Sequence, residues 1–139
     1  MRILKIKTGW LIRLEKGEEI IKSLLDFANK NNIKSGFFWG IGAVSQANLG
    51  FYKLDKKEYF DKDFNKPMEV TCLIGNLSKF NDDLTIHAHA NLSDSDFNLI
   101  GGHLNSAIVA ATLEIYFTEF NSDITRKFSN KIGLKLLKL

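Results

Sequence analysis

All three histidines of this chain fall within one short stretch: His87, His89 and His103. Imidazole is the commonest protein ligand for Zn²⁺, and it also suits Ni²⁺, Cu²⁺ and Fe²⁺. The first two sit in Leu84-Thr85-Ile86-His87-Ala88-His89-Ala90-Asn91-Leu92. Side chains alternate faces along a strand. Leu84, Ile86, Ala88, Ala90 and Leu92 therefore share an apolar face, while Thr85, His87, His89 and Asn91 share the opposite, polar face. Two imidazoles two residues apart on one polar face can converge on a single ion.

His103 follows a turn-type cluster, Ser93-Asp94-Ser95-Asp96. A hairpin between Leu84–Leu92 and a strand starting near Phe97 brings His103 back beside the H-x-H pair. Its face depends on register, because a one-residue slip turns every side chain over. Pairing His87 directly with His103 places all three on one face; the adjacent register requires a bulge, which Gly101-Gly102 could supply. Three histidines would leave a coordination position for water or substrate, the pattern of a catalytic rather than a closed structural zinc. The competing reading is three surface or hydrogen-bonded histidines, and spacing leaves both open.

Other chemistry-bearing residues have simpler readings. Glu114 is a charge within the apolar strand Thr112-Leu113-Glu114-Ile115-Tyr116; it could orient a histidine, act as a base, or stand exposed. Asp94 and Asp96 are explained by turn formation. Gly40-Ile41-Gly42-Ala43-Val44 suggests a phosphate loop, but Ser45 replaces the third glycine and strand-like sequence follows, so a tight turn is expected. Cys72, the only cysteine, lies in the apolar run Val70-Thr71-Cys72-Leu73-Ile74. It reads as a buried, inert thiol.

The elements that must position these residues are mostly strands. Met1–Lys7 reads as a first strand. Trp10, Ile12 and Leu14 share a face in a second. Gly36–Trp39 and Asn48–Tyr52 flank the glycine-rich turn. Met68–Leu77, Leu84–Leu92 and Ile108–Phe117 follow, with Asp61–Lys66 read as a surface loop before Pro67. Glu18–Asn31 is an amphipathic helix with Ile20, Ile21, Leu24, Leu25 and Ala28 on one stripe. Gly17 is its expected N-cap, Lys30 lies near its negative end, and Asn31-Asn32 end it. Many strands with one helix predict an α+β fold with a mostly antiparallel sheet or partial barrel.

The 139 residues make about one domain, read here as residues 1–139. No apolar run approaches the ~18 residues of a membrane-spanning helix. The amino terminus lacks a signal-peptide pattern, and one unpaired cysteine suits a reducing cytoplasm, the expected location. The formal net charge is +3, and apart from Arg126, Lys127, Lys131, Lys135 and Lys138 the basic residues are dispersed. A compact nucleic-acid footprint calls for clustering on one face.

Several segments together resemble a known family. Lys16-Gly17-Glu18, Gly36–Val44, Leu73–Ser78, His87-Ala88-His89-Ala90, Ile100–Leu104 and Glu114-Ile115 occur in the order of the PPC ("plants and prokaryotes conserved") domain. The resemblance implies a compact domain of mainly antiparallel strands with a helix, assembled as a homotrimer. It also implies a metal at His87, His89 and His103; with the imidazole donors zinc is the expected ion, and a small-molecule ligand or substrate at the metal is one expected function. Plant members of the family regulate genes and join this domain to AT-hook segments, Arg-Gly-Arg-Pro, that enter the DNA minor groove. This sequence has no such segment, and Pro67–Cys72 replaces the plant Gly-Arg-Phe-Glu-Ile-Leu run. DNA binding or a regulatory role is therefore the alternative expectation, and specific DNA binding is expected to be weak or absent.

Overall fold

A computed structural model describes all residues 1–139. Nine strands and one helix follow in the order β1 (Arg2–Ile6), β2 (Gly9–Glu15), α1 (Ile20–Lys30), β3 (Gly36–Lys53), β4 (Glu58–Phe64), β5 (Met68–Phe80), β6 (Asp83–Ser93), β7 (Leu99–Glu119), β8 (Thr125–Ser129) and β9 (Leu134–Leu137). Every pairing is antiparallel except β5 with β8. The expected mostly antiparallel sheet with one helix is what the chain forms.

Two long strands organise the sheet. β3 pairs with both β5 and β7, and β6 pairs with both β5 and β7. The circuit β3–β5–β6–β7–β3 therefore closes on itself, which removes open edges from the middle of the molecule. The glycine-rich segment is the main departure from the sequence reading. It is not a turn between two strands: β3 runs unbroken from Gly36 to Lys53 with register shifts around Gly42 and Val44. A side chain at Gly42 would put its Cβ 2.2 Å from the Thr112 carbonyl oxygen. The glycines thus let β3 bend against β7 at a distance only a bare backbone permits. Asp61–Phe64 is likewise not loop. It belongs to β4, paired to the second half of β3, and only Asn65–Pro67 form the connection to β5.

The core lies between the apolar faces of the strands and α1. Ile20, Leu24, Phe27 and Ala28 of the helix are buried, with Ile21 and Leu25 half-buried at the margin. Phe27 meets Phe117 edge-on at 5.5 Å and Trp10 at 5.3 Å, and Phe38 stacks on Phe117 at 6.0 Å. Such pairs add to what their burial alone supplies.

The helix begins two residues later than its pattern suggested. Its N-cap is Glu19, not Gly17. The Glu19 carboxylate accepts the Ile21 and Lys22 backbone N–H groups at 3.2 and 2.5 Å, and also the Ala107 N–H at 3.1 Å. One side chain therefore satisfies helix donors that have no intrahelical partner and ties α1 to β7. Gly17 instead holds a φ of +89° before the helix and donates its N–H to Val109. Asn31 caps the other end, as expected.

Candidate metal centre

β6 is a regular strand in the part that carries the histidines. Ala88, Ala90 and Leu92 are buried in the core, so His87 and His89 must project from the other face. β7 then supplies His103. The observed register pairs His89 with His103, two residues away from the His87 pairing considered from sequence. A shift of two preserves the face, so no bulge is needed. Gly101 and Gly102 stay in regular register opposite Asn91 and Ala90. Their role is close approach: a Cβ on Gly101 would lie 2.4 Å from the Asn91 Oδ1, and one on Gly102 2.8 Å from the Gly50 carbonyl oxygen. Asp94 sets the intervening loop by accepting the Asp96 and Asn98 backbone N–H groups, each at 3.0 Å.

The three imidazoles meet. Ring centroids are 5.2 Å apart for His87 and His89, 5.3 Å for His87 and His103, and 5.6 Å for His89 and His103. One nitrogen from each lies within 4.8 Å of the others. Nitrogens about 2.0–2.1 Å from a tetrahedral zinc are separated by less than that, so small side-chain adjustments suffice. His103 Nδ1 is buried and has no hydrogen-bond partner. Buried polar atoms are seldom left this way, and an imidazole lone pair aimed at a metal explains it. The residues present fit a divalent ion.

Their electrostatics favour the ligating form. Burial, followed by the nearby His103, Arg126 and His89, pushes His87 from the ordinary 6.5 down to about 4. His103 is lowered as well, chiefly by burial and by His89, against the opposing pull of Asp61. Both are therefore neutral at pH 7, the state that binds metal. A stability consequence follows for the metal-free protein. The unfolded chain protonates residue 87 near 6.5, the folded chain near 4. Between those values the unfolded state holds more protons, so stability present above pH 6.5 falls as the pH drops toward 4. Urea midpoints measured across that window should decline with acid in the native protein and decline less in His87→Gln; parallel curves would contradict the assignment.

The surroundings include residues the sequence did not single out. The Tyr59 ring of β4 lies 5.1 Å from His103. Arg126 of β8 donates from Nε to Ser78 Oγ at 2.7 Å and from Nη2 to Asn76 Oδ1 at 2.6 Å, and Asn76 is directly opposite His87 in the ladder. Arg126 reads as one of a solvated basic group in sequence, and nothing in its spacing signals this position. Glu114 does not join the cluster. It sits farther along β7, exposed, opposite Arg13 and Ile41, so within one chain it cannot orient a histidine. Cys72 is half-buried rather than buried, at the point where β5 shifts register against β6.

A closed antiparallel sheet with one helix and a three-histidine group on β6 and β7 defines the class. The chain belongs to the Plants and Prokaryotes Conserved domain family, abbreviated PCC or PPC, whose sequence pattern matches residues 1–121. Solved structures agree. A Bacteroides thetaiotaomicron protein provisionally described as DNA-binding is 31% identical, with a TM-score of 0.95 over 99% of this chain and 96% of its own. A metal-containing protein from Archaeoglobus fulgidus is 30% identical, with a TM-score of 0.86 over 100% of both chains. A Pyrococcus horikoshii plant- and prokaryote-conserved (PPC) protein is 30% identical, with a TM-score of 0.88 over 99% of this chain and 95% of its own. No curated protein matches the sequence.

Proposed function

We propose that this protein is a metal-binding PPC domain spanning residues 1–139. It holds one divalent ion, most suitably Zn²⁺, through His87, His89 and His103, and offers the remaining coordination position to a small molecule. The observation that carries this reading is the convergence of three imidazole nitrogens within 4.8 Å of one another. The metal-containing relative from Archaeoglobus supports it. The donor set is all nitrogen and neutral, which suits zinc and later first-row ions over Mg²⁺ or Ca²⁺. Three protein ligands fit an open site that can polarise a bound oxygen. Protein purified without chelator should contain about one divalent ion per chain by elemental analysis. Metal-free preparations that also take up no zinc, nickel or cobalt on titration would end this reading.

The working unit we propose is a homotrimer. The family resemblance suggests it, and an outward apolar row supports it. Leu4, Leu11, Tyr116, Trp39 and Ile74 stand opposite one another in successive ladders from β1 to β5, and the row leads directly to His89. Trp39 is 47% exposed, and Ile41 beside it 60%. Continuous exposed apolar surface of this kind usually meets a partner, and closed symmetry covers it without open-ended growth. Light scattering coupled to size exclusion should give a mass near three times the 15.8 kDa chain. A monomer mass throughout the micromolar range would refute the trimer.

A regulatory, DNA-binding role is the second reading, favoured by relatives from Bacteroides and Ralstonia provisionally described as DNA-binding. A sequence-specific complex that survives physiological salt would favour it over the metal-centred reading. No helix is long and apolar enough to cross a membrane. The cytoplasm remains the location we propose, on the unpaired Cys72.

A further inference from the structure

A cavity of about 520 Å³ opens beside the histidines, within the size range of small-molecule sites. His87, His103, Asn76 and Arg126 are all in its lining, with Asn76 next to His87 across the β5–β6 ladder and bonded to Arg126. Phe128, Leu134, Leu136 and Leu137 supply an apolar side. These four and Arg126 come from the β8–β9 hairpin, which lies beyond the residues the family pattern matches.

Charge is the informative feature. Arg126 and Lys135 line this cavity, and no Asp or Glu does. Arg126 has no carboxylate partner: its Nε, Nη1 and Nη2 donate to Ser78 Oγ, the Lys135 carbonyl and Asn76 Oδ1, all neutral acceptors. A guanidinium carries five N–H groups, so two remain, the number a carboxylate takes in a bidentate pair. Three fixed bonds also hold the guanidinium in place before any ligand arrives. Burial disfavours its charge, which makes an anionic partner more valuable there. A divalent ion on neutral histidines would add two further positive charges, against which the nearest protein anion is Asp61, felt at His103 and outside the cavity lining.

We infer that the cavity binds a small carboxylate with an apolar tail, its carboxylate held between Arg126 and the ion on the three histidines, its tail against Phe128 and the β9 leucines. This inference rests on the metal-binding reading for one half of the anion's recognition, while the Arg126 half stands without it. A carboxylate is favoured over phosphate because the cationic side chains of the lining, Arg126 and Lys135, stand beside an apolar side made by Phe128 and the β9 leucines, and one guanidinium fork with two free N–H groups matches a carboxylate.

The test uses 4-methylpentanoate, and its neutral amide as the control, on the full-length protein by isothermal titration calorimetry, with and without zinc. Zinc content is measured first. For the zinc-loaded protein the carboxylate should bind about tenfold or more tightly than the amide, and Arg126→Gln should lose about that factor while keeping its zinc. Because Arg126 also braces β5 and β9, Arg126→Lys serves as a second variant; it keeps the charge and should retain more affinity than Arg126→Gln. In a cobalt-substituted sample the carboxylate should perturb the visible ligand-field bands, which reports contact with the ion. If zinc is bound but carboxylate and amide are indistinguishable on the native protein, the inference is overturned and the metal reading survives. If no metal binds yet carboxylate preference persists and depends on Arg126, the metal reading fails and the anion site stands.

Discussion

Replacing His87 and His89 together by Ala is expected to reduce bound metal from about one ion per chain to none measurable, while the protein stays folded. Two of three ligands would be gone, and a lone imidazole at neutral pH competes poorly with water and buffer. The fold should tolerate the change, because both side chains project from the face of β6 opposite Ala88, Ala90 and Leu92. Removing His87 also removes a partly buried imidazole whose protonation the protein resists. At pH 7 that imidazole is largely neutral whether the chain is folded or unfolded, so its loss costs only local packing, and the metal-free double variant should unfold close to the metal-free native protein. Elemental analysis and urea denaturation of the same samples check the two halves. Full metal content in the folded double variant would show that the ion, if any, is held elsewhere.

The second large effect is on the core. Phe117→Ala should cost about 3–5 kcal/mol, a large share of the roughly 5–15 kcal/mol that holds a typical domain together. Phe117 is 1% exposed and touches both Phe27 of the helix and Phe38 of β3. Truncation leaves a void between elements already fixed by backbone pairing, so the surroundings cannot collapse to fill it. As a contrast, Phe97, 87% exposed in the β6–β7 loop, should lose almost nothing on truncation to Ala. Chemical denaturation at matched protein concentration measures both, since association would otherwise shift the apparent stability. Equal losses at the two positions would mean the aromatic cluster is not where stability resides.

How far the sequence reaches differs between the two halves of the site. The histidine group was legible because it is built from local pattern. Strand alternation alone puts His87 and His89 on one face, and a hairpin returns His103 to that neighbourhood. Even the misplaced pairing, His87 rather than His89 opposite His103, left the conclusion intact, since registers two apart keep the same face. The Arg126 side of the cavity had no such pattern. β8 reaches β5 by a parallel pairing from the far end of the chain, so Arg126 and Asn76 meet across fifty positions with no periodic trace.

The sequence by itself determined the mostly-strand composition with one helix, the apolar and polar faces of β6, the amphipathic stripe of the helix and the family. Each depends on residues close in the chain, through side-chain alternation, helical period and short motifs. Only the tertiary structure decided that β3 is one bent strand, that Glu19 caps the helix and reaches β7, and that Glu114 stands apart from the histidines. It alone placed Arg126 beside them. A bend at Gly42 requires the Thr112 backbone to lie where a Cβ would go, and a cap that also binds Ala107 requires β7 to arrive there. Such facts are set by which strands pair and by how closely their backbones approach, and long-range pairing leaves no local signature in the order of residues.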